Sequence, residues 1–410
     1  MTLDHRKTWG FYMKKIQKNR IVQYLLVMFL TAAAFLIYFM LHHFSLRDLW
    51  SYDANKAVDD FVRGMVEEGG GQQAAFFGFN LQNFVIFVLG RLLGDAILGI
   101  NVYYILTFFL IAGASYWCMK TMGISGKPAL FISVLLSFIP FHIDRGQGQI
   151  ITSSFFLVPI FIGFLYQIFF QMDSTKFRVS TVVWMAAAPF IDWRLAVMFV
   201  ILLAVLTVHR NDGRVYRTAG IYGAVLLAFT LLAGIASGVF RQVDVAENIR
   251  LAREEGLRIL DMILPLRYHV SDRLWNIRYE YDVSFSVHGE CGLNAQGILI
   301  SAAFLYGLLA LFFGKRKDKR IQWLAWINVI VILVSVIGGF HLILEYLGIN
   351  LVYWNRMGII IIVSSAATLG ILADQVRSKL SKGIPRPAVD AVTALIAIAG
   401  LAELILRQNM

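Results

Sequence analysis

Charged residues are scarce in this chain. Of its 410 residues, 15% are charged and 58% are hydrophobic, and the mean hydropathy is +0.67. A soluble domain carries about a quarter charged residues, so this composition cannot cover an apolar interior in water. The composition therefore excludes a soluble enzyme. It also excludes a nucleic-acid-binding domain, although the formal net charge is +11.

Cysteine is almost absent as well. Cys118 and Cys291 are the two cysteines, and they lie far apart in the sequence. A disulfide framework is thereby excluded. The sequence contains no CxxC or HExxH motif and no Walker loop, so no local motif for a metal or a nucleotide is found.

The apolar residues occur in blocks of bilayer-spanning length. They predict an all-α polytopic membrane bundle of about eleven spans that forms one transmembrane domain over residues 1–410. The first block follows a basic stretch like that of a signal peptide, but Ile21–Leu41 is long enough to span and is interpreted as an uncleaved anchor. The blocks are 22–42, 100–118, 127–143, 150–171, 178–191, 194–208, 217–239, 293–314, 321–340, 356–373 and 387–406.

Lysines predict the orientation of the spans. With eleven spans and a cytoplasmic N-terminus, twelve of the thirteen lysines fall in cytoplasmic segments and only Lys56 falls outside. The positive-inside rule favours this arrangement, which places the C-terminus outside. It requires residues 178–208 to form two short spans that reverse near Asp192-Trp193-Arg194. The alternative is one helix of about 46 Å, too long for the hydrocarbon core.

Arginines have a different distribution. Fourteen of the twenty-four fall on the predicted outer side, although topology does not require them there. The planar guanidinium suits phosphate and carboxylate groups, so these arginines indicate an anionic ligand or lipid headgroup outside. Ordinary pairing with Asp and Glu in the same loops is the alternative, with about equal weight.

Two outer segments are long enough to contribute a site, namely residues 43–99 and 240–292. In the first, Val58–Val66 is expected to be helical, and Phe84–Leu98 is expected to form a helix lying on or dipping into the membrane. In the second, the pattern over Asp244–Leu264 predicts an interfacial amphipathic helix that ends before Pro265.

Four positions carry candidate chemistry. Asp53 follows the first span and is either a general base or a helix cap. The segment from Pro140 to Gln149 contains His142, Arg145, Gln147 and Gln149, which are either ligand-binding groups or a polar turn. Glu290 precedes the eighth span in a His-Gly-Glu-Cys-Gly sequence. A histidine and a glutamate there could suggest a metal, but two ligands are too few for a metal site. Arg356 opens the tenth span and either binds an anion or only extends to the interface.

These segments resemble a known family. The order of the motifs in this chain resembles that of bacterial multispan membrane proteins of the GT-C glycosyltransferase type. The matching segments are an early outer Asp53-Ala54, the stretch PFHIDRGQGQIITSSFFLVP over 140–159, HGECGL over 288–293 and Asn355-Arg356. Members are often described as sugar translocases or phosphoglycerol transferases. The similarity extends over roughly residues 20–375, and the 140–159 segment is the most specific part of it.

The resemblance implies a GT-C-like fold in a bacterial cytoplasmic membrane, with chemistry on the outer face. It implies Asp53 as base or metal ligand, and Arg145 and Arg356 as contacts for the phosphate of a carrier. Its partners would be a polyprenyl-phosphate-linked sugar and a glycan or lipid acceptor, with a divalent metal as an open question. His142, Gln147, Gln149 and Glu290 complete the predicted substrate-binding set, and no nucleic-acid partner is expected.

Three functions remain open from the sequence. The first is transfer of a sugar, or of a phosphoglycerol-type group, outside the membrane. The second is translocation of a lipid-linked sugar, but transporters place charges at the bilayer midplane and often have repeated halves. The spans of this chain hold few charges at their centres, and no clear internal repeat is found. The third is a non-enzymatic scaffold, which would not need the outer polar clusters.

Overall fold

The computed structural model describes residues 4–46, 80–146, 149–171, 179–210, 212–236, 245–285, 290–313, 318–347 and 353–407. These residues form an all-α bundle without a β-strand, apart from one isolated parallel bridge between Leu257 and Val336. The α-helices in chain order are α1 Asp4–Leu41, α2 Leu81–Leu93, α3 Ala96–Thr121, α4 Gly126–Ser137, α5 Pro140–Ile143, α6 Ile150–Ser153, α7 Leu157–Phe170, α8 Val179–Ile191, α9 Trp193–Arg210, α10 Gly213–Ala236, α11 Val245–Glu254, α12 Asp272–Ser284, α13 Ile298–Phe313, α14 Lys319–Ser335, α15 His341–Tyr346, α16 Gly358–Leu380 and α17 Arg386–Ile405.

The bundle has the lengths and composition of a multi-pass membrane protein. Among the described residues, eight helical segments are long and apolar enough to cross a bilayer, and α2, α8 and α13 are shorter apolar helices. The helical membrane bundle is thus confirmed, whereas the total of eleven spans stays a prediction. The eight segments are Ile21–Leu41, Ala96–Thr121, Gly126–Ile143, Ile150–Phe170, Trp193–Arg210, Val215–Ala236, Trp354–Leu380 and Arg386–Ile405.

Helix α16 lies at the centre of the bundle. Every residue from Ile359 to Val363 is at most 1% exposed. Its contact with α14 includes a polar group in the apolar interior, because Asn328 on α14 is bonded to Ser364 and Ser365 on α16. Such polar contacts join helices where the apolar lipid supplies no hydrophobic driving force.

Residues 81–121 form a tight helical hairpin. Helix α2 ends at Gly94 in a left-handed conformation with a φ of 67°, and the Asp95 side chain accepts a hydrogen bond from the backbone N–H of Leu98 at 3.1 Å to start α3. The prediction of one helix through Leu98 is therefore wrong at its C-terminal end. The two helices touch through glycine, since a Cβ on Gly99 would lie 2.5 Å from the backbone nitrogen of Gly90.

Helices α8 and α9 confirm the two short helices predicted over residues 178–208. Asp192 alone separates them, and its carboxylate accepts hydrogen bonds from the backbone N–H groups of Arg194 and Leu195, which caps α9. The chain reverses here, because the Arg210 guanidinium at the end of α9 lies 5.4 Å from the Phe170 ring at the end of α7. Only eight residues separate Phe170 from the start of α8.

Segments predicted to be cytoplasmic converge at one end of the bundle. Arg320 donates to the carbonyl of Met122 at 2.8 Å, and Gln375 donates to Asp318 at 3.1 Å. Lys127 forms an ion pair with Asp390. Three lysine-bearing segments are therefore in direct contact, in agreement with the side that the lysines predict for them.

The second outer segment departs from its prediction. Helix α11 ends at Glu254, so an amphipathic helix over the whole of Asp244–Leu264 is wrong. The reason is a long-range contact: a Cβ on Gly256 would meet Ile337 at 2.8 Å, and the N–H of Leu257 donates to the carbonyl of Ser335 at 2.8 Å. Backbone pairing with the end of α14 thus replaces helical hydrogen bonds.

A buried ion network holds the rest of this segment. Arg278 on α12 contacts Asp261 at 2.9 Å and Asp282 at 2.8 Å, and Arg267 contacts Asp282 at 2.7 Å. Burial raises the pKa of Asp261 to about 6, against the opposing effect of Arg278. Helix α12 itself had not been predicted, because its polar aromatic sequence lacks an apolar face of helical period.

The orientation can be tested with single cysteines in a Cys291→Ser background. We expect Lys176→Cys, Asp212→Cys and Lys317→Cys to react with an impermeant maleimide only from the cytoplasmic side, because the positive-inside rule assigns these segments to the cytoplasm. Asp272→Cys on α12 should react only from outside. Labelling of Asp212→Cys from outside would contradict the reversal between α8 and α9.

Candidate polar site

Three separate segments meet at the end of the bundle opposite the lysine-bearing loops. The first runs from Pro140, which begins the one-turn helix α5, to Ser153 at the end of α6. Gly146 adopts a φ of 46° there, and the Ser153 hydroxyl donates to its carbonyl at 2.9 Å. The second segment begins at Glu290 and the third is the 3₁₀ turn Trp354–Met357.

The carboxylate of Glu290 joins these segments. Arg145 Nη1 donates to Glu290 Oε2 at 2.9 Å, and Gln149 Nε2 donates to Oε1 at 2.6 Å. Arg356 binds the same carboxylate in a bidentate manner, with Nε 3.0 Å from Oε2 and Nη2 2.9 Å from Oε1. Residues 145, 149, 290 and 356 therefore form one connected group, which we call the Glu290 cluster.

Aromatic rings and burial fix both arginines in this cluster. The Arg145 guanidinium lies 4.4 Å from the centre of the Phe141 ring, and the Arg356 guanidinium lies 4.2 Å from that of Tyr353. The Arg145 side chain is 0% exposed and that of Glu290 is 20% exposed. Water reaches the cluster at Glu290 and at Arg356, whose side chain is 13% exposed, so an entering anion would meet the Arg356 guanidinium first.

The Glu290 carboxylate is ionised at neutral pH. Burial alone raises its pKa, but hydrogen bonds and positive charge from Arg356 and then Arg145 outweigh burial, and the net pKa lies below the ordinary value of 4.5. One negative charge thus faces two guanidinium groups, and the cluster keeps an excess positive charge that favours an anion.

Two further residues, Arg194 and Thr152, lie close to the cluster. Arg194, at the start of α9, interacts electrostatically with Arg356 and Glu290 as well as with its neighbour Asp192. Thr152 also takes part, because Arg356 Nη1 donates to its hydroxyl at 3.3 Å. Thr152 and Arg194 were not among the predicted site residues, and the polar turn at residues 192–194 is the signal that could have indicated Arg194.

His142 lies in a different environment. Its ring is fully buried, with Nε2 2.8 Å from the Thr107 hydroxyl and Nδ1 2.7 Å from the carbonyl of Ser137. Both ring nitrogens are thus engaged away from the Glu290 cluster. The structure brings together Arg145, Gln149, Glu290 and Arg356 but leaves His142 as a packing and hydrogen-bonding group beside them.

Two predicted site residues, Asp53 and Gln147, lie outside the described residues. Their roles stay predictions, as does the predicted helix Val58–Val66. In the parts of the chain that the structure describes, no group of three or more His, Cys, Asp or Glu side chains is arranged to hold a metal ion. The oxygens of Glu290 are occupied by cations, so these residues do not fit a metal site.

A long apolar groove lies near the cluster, although none of the four cluster residues is among those that line it. It has a volume of about 920 Å³ and is bounded by α1, α2, α3, α7 and α8, with lining residues that include Met28, Val85, Ala114, Phe164 and Trp184. The groove is open rather than enclosed. Its length and lining suit a hydrocarbon chain that enters from the bilayer.

Gln82 connects the groove with the cluster. This buried side chain lines the groove and donates from Nε2 to the carbonyls of Ile151 and Ile191, each at 3.2 Å. Ile151 precedes Thr152, which contacts Arg356, and Ile191 precedes Asp192. At one end of the groove, Gln82 is therefore bonded to two residues that each directly precede a group at or beside the Glu290 cluster.

A comparison with models of protein families gives no match for this sequence, and neither does a comparison with curated proteins. The class defined by fold and geometry is accordingly a multi-pass helical membrane protein with a cationic cluster beside an apolar groove.

The coupling in the cluster can be tested with Glu290→Gln. Removing the charge leaves two guanidinium groups unneutralised. We expect a loss of about 3 kcal/mol in stability, which is the lower end of the range for removing one partner of a buried ion pair. Glu280→Gln, on the exposed side of α12, is the matched control and should change little. Thermal unfolding in detergent measures both.

The pH dependence of this difference has a definite sign. Since the pKa of Glu290 is lowered by folding, its stabilisation is present above the unfolded value near 4.5 and is lost as pH falls through the folded value. The difference in stability between the wild type and Glu290→Gln should therefore become smaller on acidification. A gap that widens below pH 4.5 would contradict the ionised cluster.

Proposed function

We propose that the protein is a membrane glycosyltransferase that moves a sugar from a polyprenyl-phosphate carrier to a glycan or lipid acceptor at the outer face. The observation that carries the proposal is the adjacency of the apolar groove and the Glu290 cluster. A carrier of this class has the same two parts, since a long hydrocarbon chain ends in an anionic phosphate.

The cluster suits the leaving group of such a transfer. When the acceptor hydroxyl attacks the anomeric carbon, the bond between that carbon and the carrier phosphate oxygen breaks, and the electron pair stays on the phosphate. Guanidinium groups already held in place stabilise the developing charge at no further cost of reorganisation. Arg145 and Arg356 are fixed by ring contacts and by Glu290, so they meet this requirement.

Glu290 acts as a positioning residue in this proposal. Without a carboxylate between them, the two arginines would repel each other, and their guanidinium planes would lose their common orientation. A carrier phosphate would bind from the exposed side and share the guanidinium N–H donors with Glu290. The acceptor proton is assigned to Asp53, on the strength of its position in the sequence and the GT-C resemblance.

Translocation of a lipid-linked sugar is the second candidate, and one observation favours it. The groove has polar residues at both ends, with Gln82 near the Glu290 cluster and Gln167 and Ser180 near the opposite end of the bundle. A polar headgroup could cross along such a groove while its chain stays in lipid. A measurement of transfer separates the two candidates.

Asp53→Asn tests the transferase. Asn keeps the volume but cannot accept the acceptor proton, so the transfer rate should fall by about 10²–10⁴-fold. The assay uses proteoliposomes with a polyprenyl-phosphate sugar and measures both product formation and sidedness of the donor. Asp59→Asn is the control, and normal insertion is checked by protease protection.

The outcomes distinguish the candidates. Loss of transfer with an unchanged donor distribution supports the transferase. Full transfer in Asp53→Asn removes this residue as the base. Donor movement across the bilayer without product, abolished by Arg145→Lys, supports translocation, because lysine keeps the charge but loses the bidentate geometry.

Ala114→Phe tests the groove. Ala114 faces the groove from α3, and a phenyl ring there should fill space that the carrier chain needs. We expect binding of a polyprenyl phosphate to weaken by at least tenfold, while thermal stability is retained. Val205→Phe, on the exposed face of α9, is the control. Equal affinity in both variants would contradict the assignment of the groove to the carrier chain.

A further inference from the structure

A second polar cavity lies at the opposite end of the bundle. It is a cleft of about 600 Å³ between the end of α16 and the start of α17, with Arg377, Lys379 and Arg386 among its lining residues. The lysine-bearing segments meet at this end, which the positive-inside rule assigns to the cytoplasm. The cleft is remote from the Glu290 cluster and has no part in the proposed transfer.

The carboxylates of this cleft are already occupied. Asp390 pairs with Arg377 at 2.6 Å and also with Lys127. The other, Asp374, accepts a hydrogen bond from the backbone N–H of Ser125 at 3.2 Å. Asp390 is therefore already shared by two cations, and the three basic residues that line the cleft outnumber its two carboxylates.

Two cations of the cleft are exposed. Lys379, in the last turn of α16, and Arg386, the first residue of α17, have no carboxylate partner within the described ranges. Both line the cleft on either side of the turn at residues 381–385, which also carries the exposed Lys382. The hydroxyl-bearing residues Ser378 and Ser381 line the same cleft and supply smaller polar groups.

Apolar side chains flank the cations. Val376 is 53% exposed, Leu380 is 40% exposed and Ile384 is 45% exposed. A free anion in water would gain nothing from these neighbours. An amphiphile with a phosphate group would place that group in the cleft and its hydrocarbon against the exposed residues.

We propose that this cleft binds the headgroup of an anionic phospholipid, with its phosphate on Lys379 and Arg386 and its acyl chains against Val376, Leu380 and Ile384. Basic pockets between helices on the cytoplasmic side of membranes recognise such headgroups. The bound lipid would add a further link between the last two helices, beside the ion pair of Arg377 on α16 with Asp390 on α17.

The test uses the full chain in detergent and native mass spectrometry, with phosphatidylglycerol and phosphatidylcholine as probes. The double variant Lys379→Gln/Arg386→Gln should bind phosphatidylglycerol about 30-fold more weakly, from about a factor of five per surface cation. Arg210→Gln/Arg217→Gln removes the same charge from the same end, outside the cleft, and should retain binding.

Controls keep the result interpretable. If the double variant is less stable, the charge-preserving exchange Lys379→Arg/Arg386→Lys should restore phosphatidylglycerol binding. Equal losses in the cleft variant and the control variant would reduce the effect to general surface charge and overturn the proposal. Binding of phosphatidylcholine as tight as that of phosphatidylglycerol, or displacement of the lipid by equimolar inorganic phosphate, would also overturn it.

Discussion

The Glu290 carboxylate is the contact on which the end of the bundle opposite the lysine-bearing loops depends. It is held by Arg145 from the turn after α5, by Arg356 from the turn before α16 and by Gln149 from the turn before α6. Arg145 and Gln149 belong to one segment, whereas Glu290 and Arg356 come from distant parts of the chain. Core residues such as Phe141 and Trp354 pack these segments, and the charge-assisted network sets the positions of the two guanidinium groups within them.

The same arrangement relates fold to chemistry. Arginines that are buried against rings and paired with a carboxylate lose little orientational freedom when an anion arrives. The apolar groove runs along α3 and α7, and its Gln82 end lies near the cluster, so a ligand with a charged end and a hydrocarbon chain would suit both surfaces. Neither surface alone would select a lipid-linked phosphate over a soluble anion or an ordinary membrane lipid.

Hydropathy and charge predicted much of this structure. Spans such as Ile150–Phe170 depend on apolar length, and the reversal at Asp192 follows from a polar trio in a block too long for one crossing. The candidates Arg145, Gln149, Glu290 and Arg356 were each identifiable as polar residues at helix ends. What the sequence could not supply was long-range packing: the end of α11 is set by the contact between Gly256 and Ile337, and His142 is engaged by Thr107 on another helix.

The short length of α8 has a consequence for the surrounding bilayer. Its 13 residues rise only about 20 Å, less than the roughly 30 Å of a hydrocarbon core. Lipid beside this helix relieves such a mismatch by local thinning of the membrane. Because α8 borders the groove and ends beside the Glu290 cluster, thinning there would draw lipid headgroups toward Arg356. On the proposed function, this thinning would shorten the distance over which a lipid-linked phosphate must leave its leaflet.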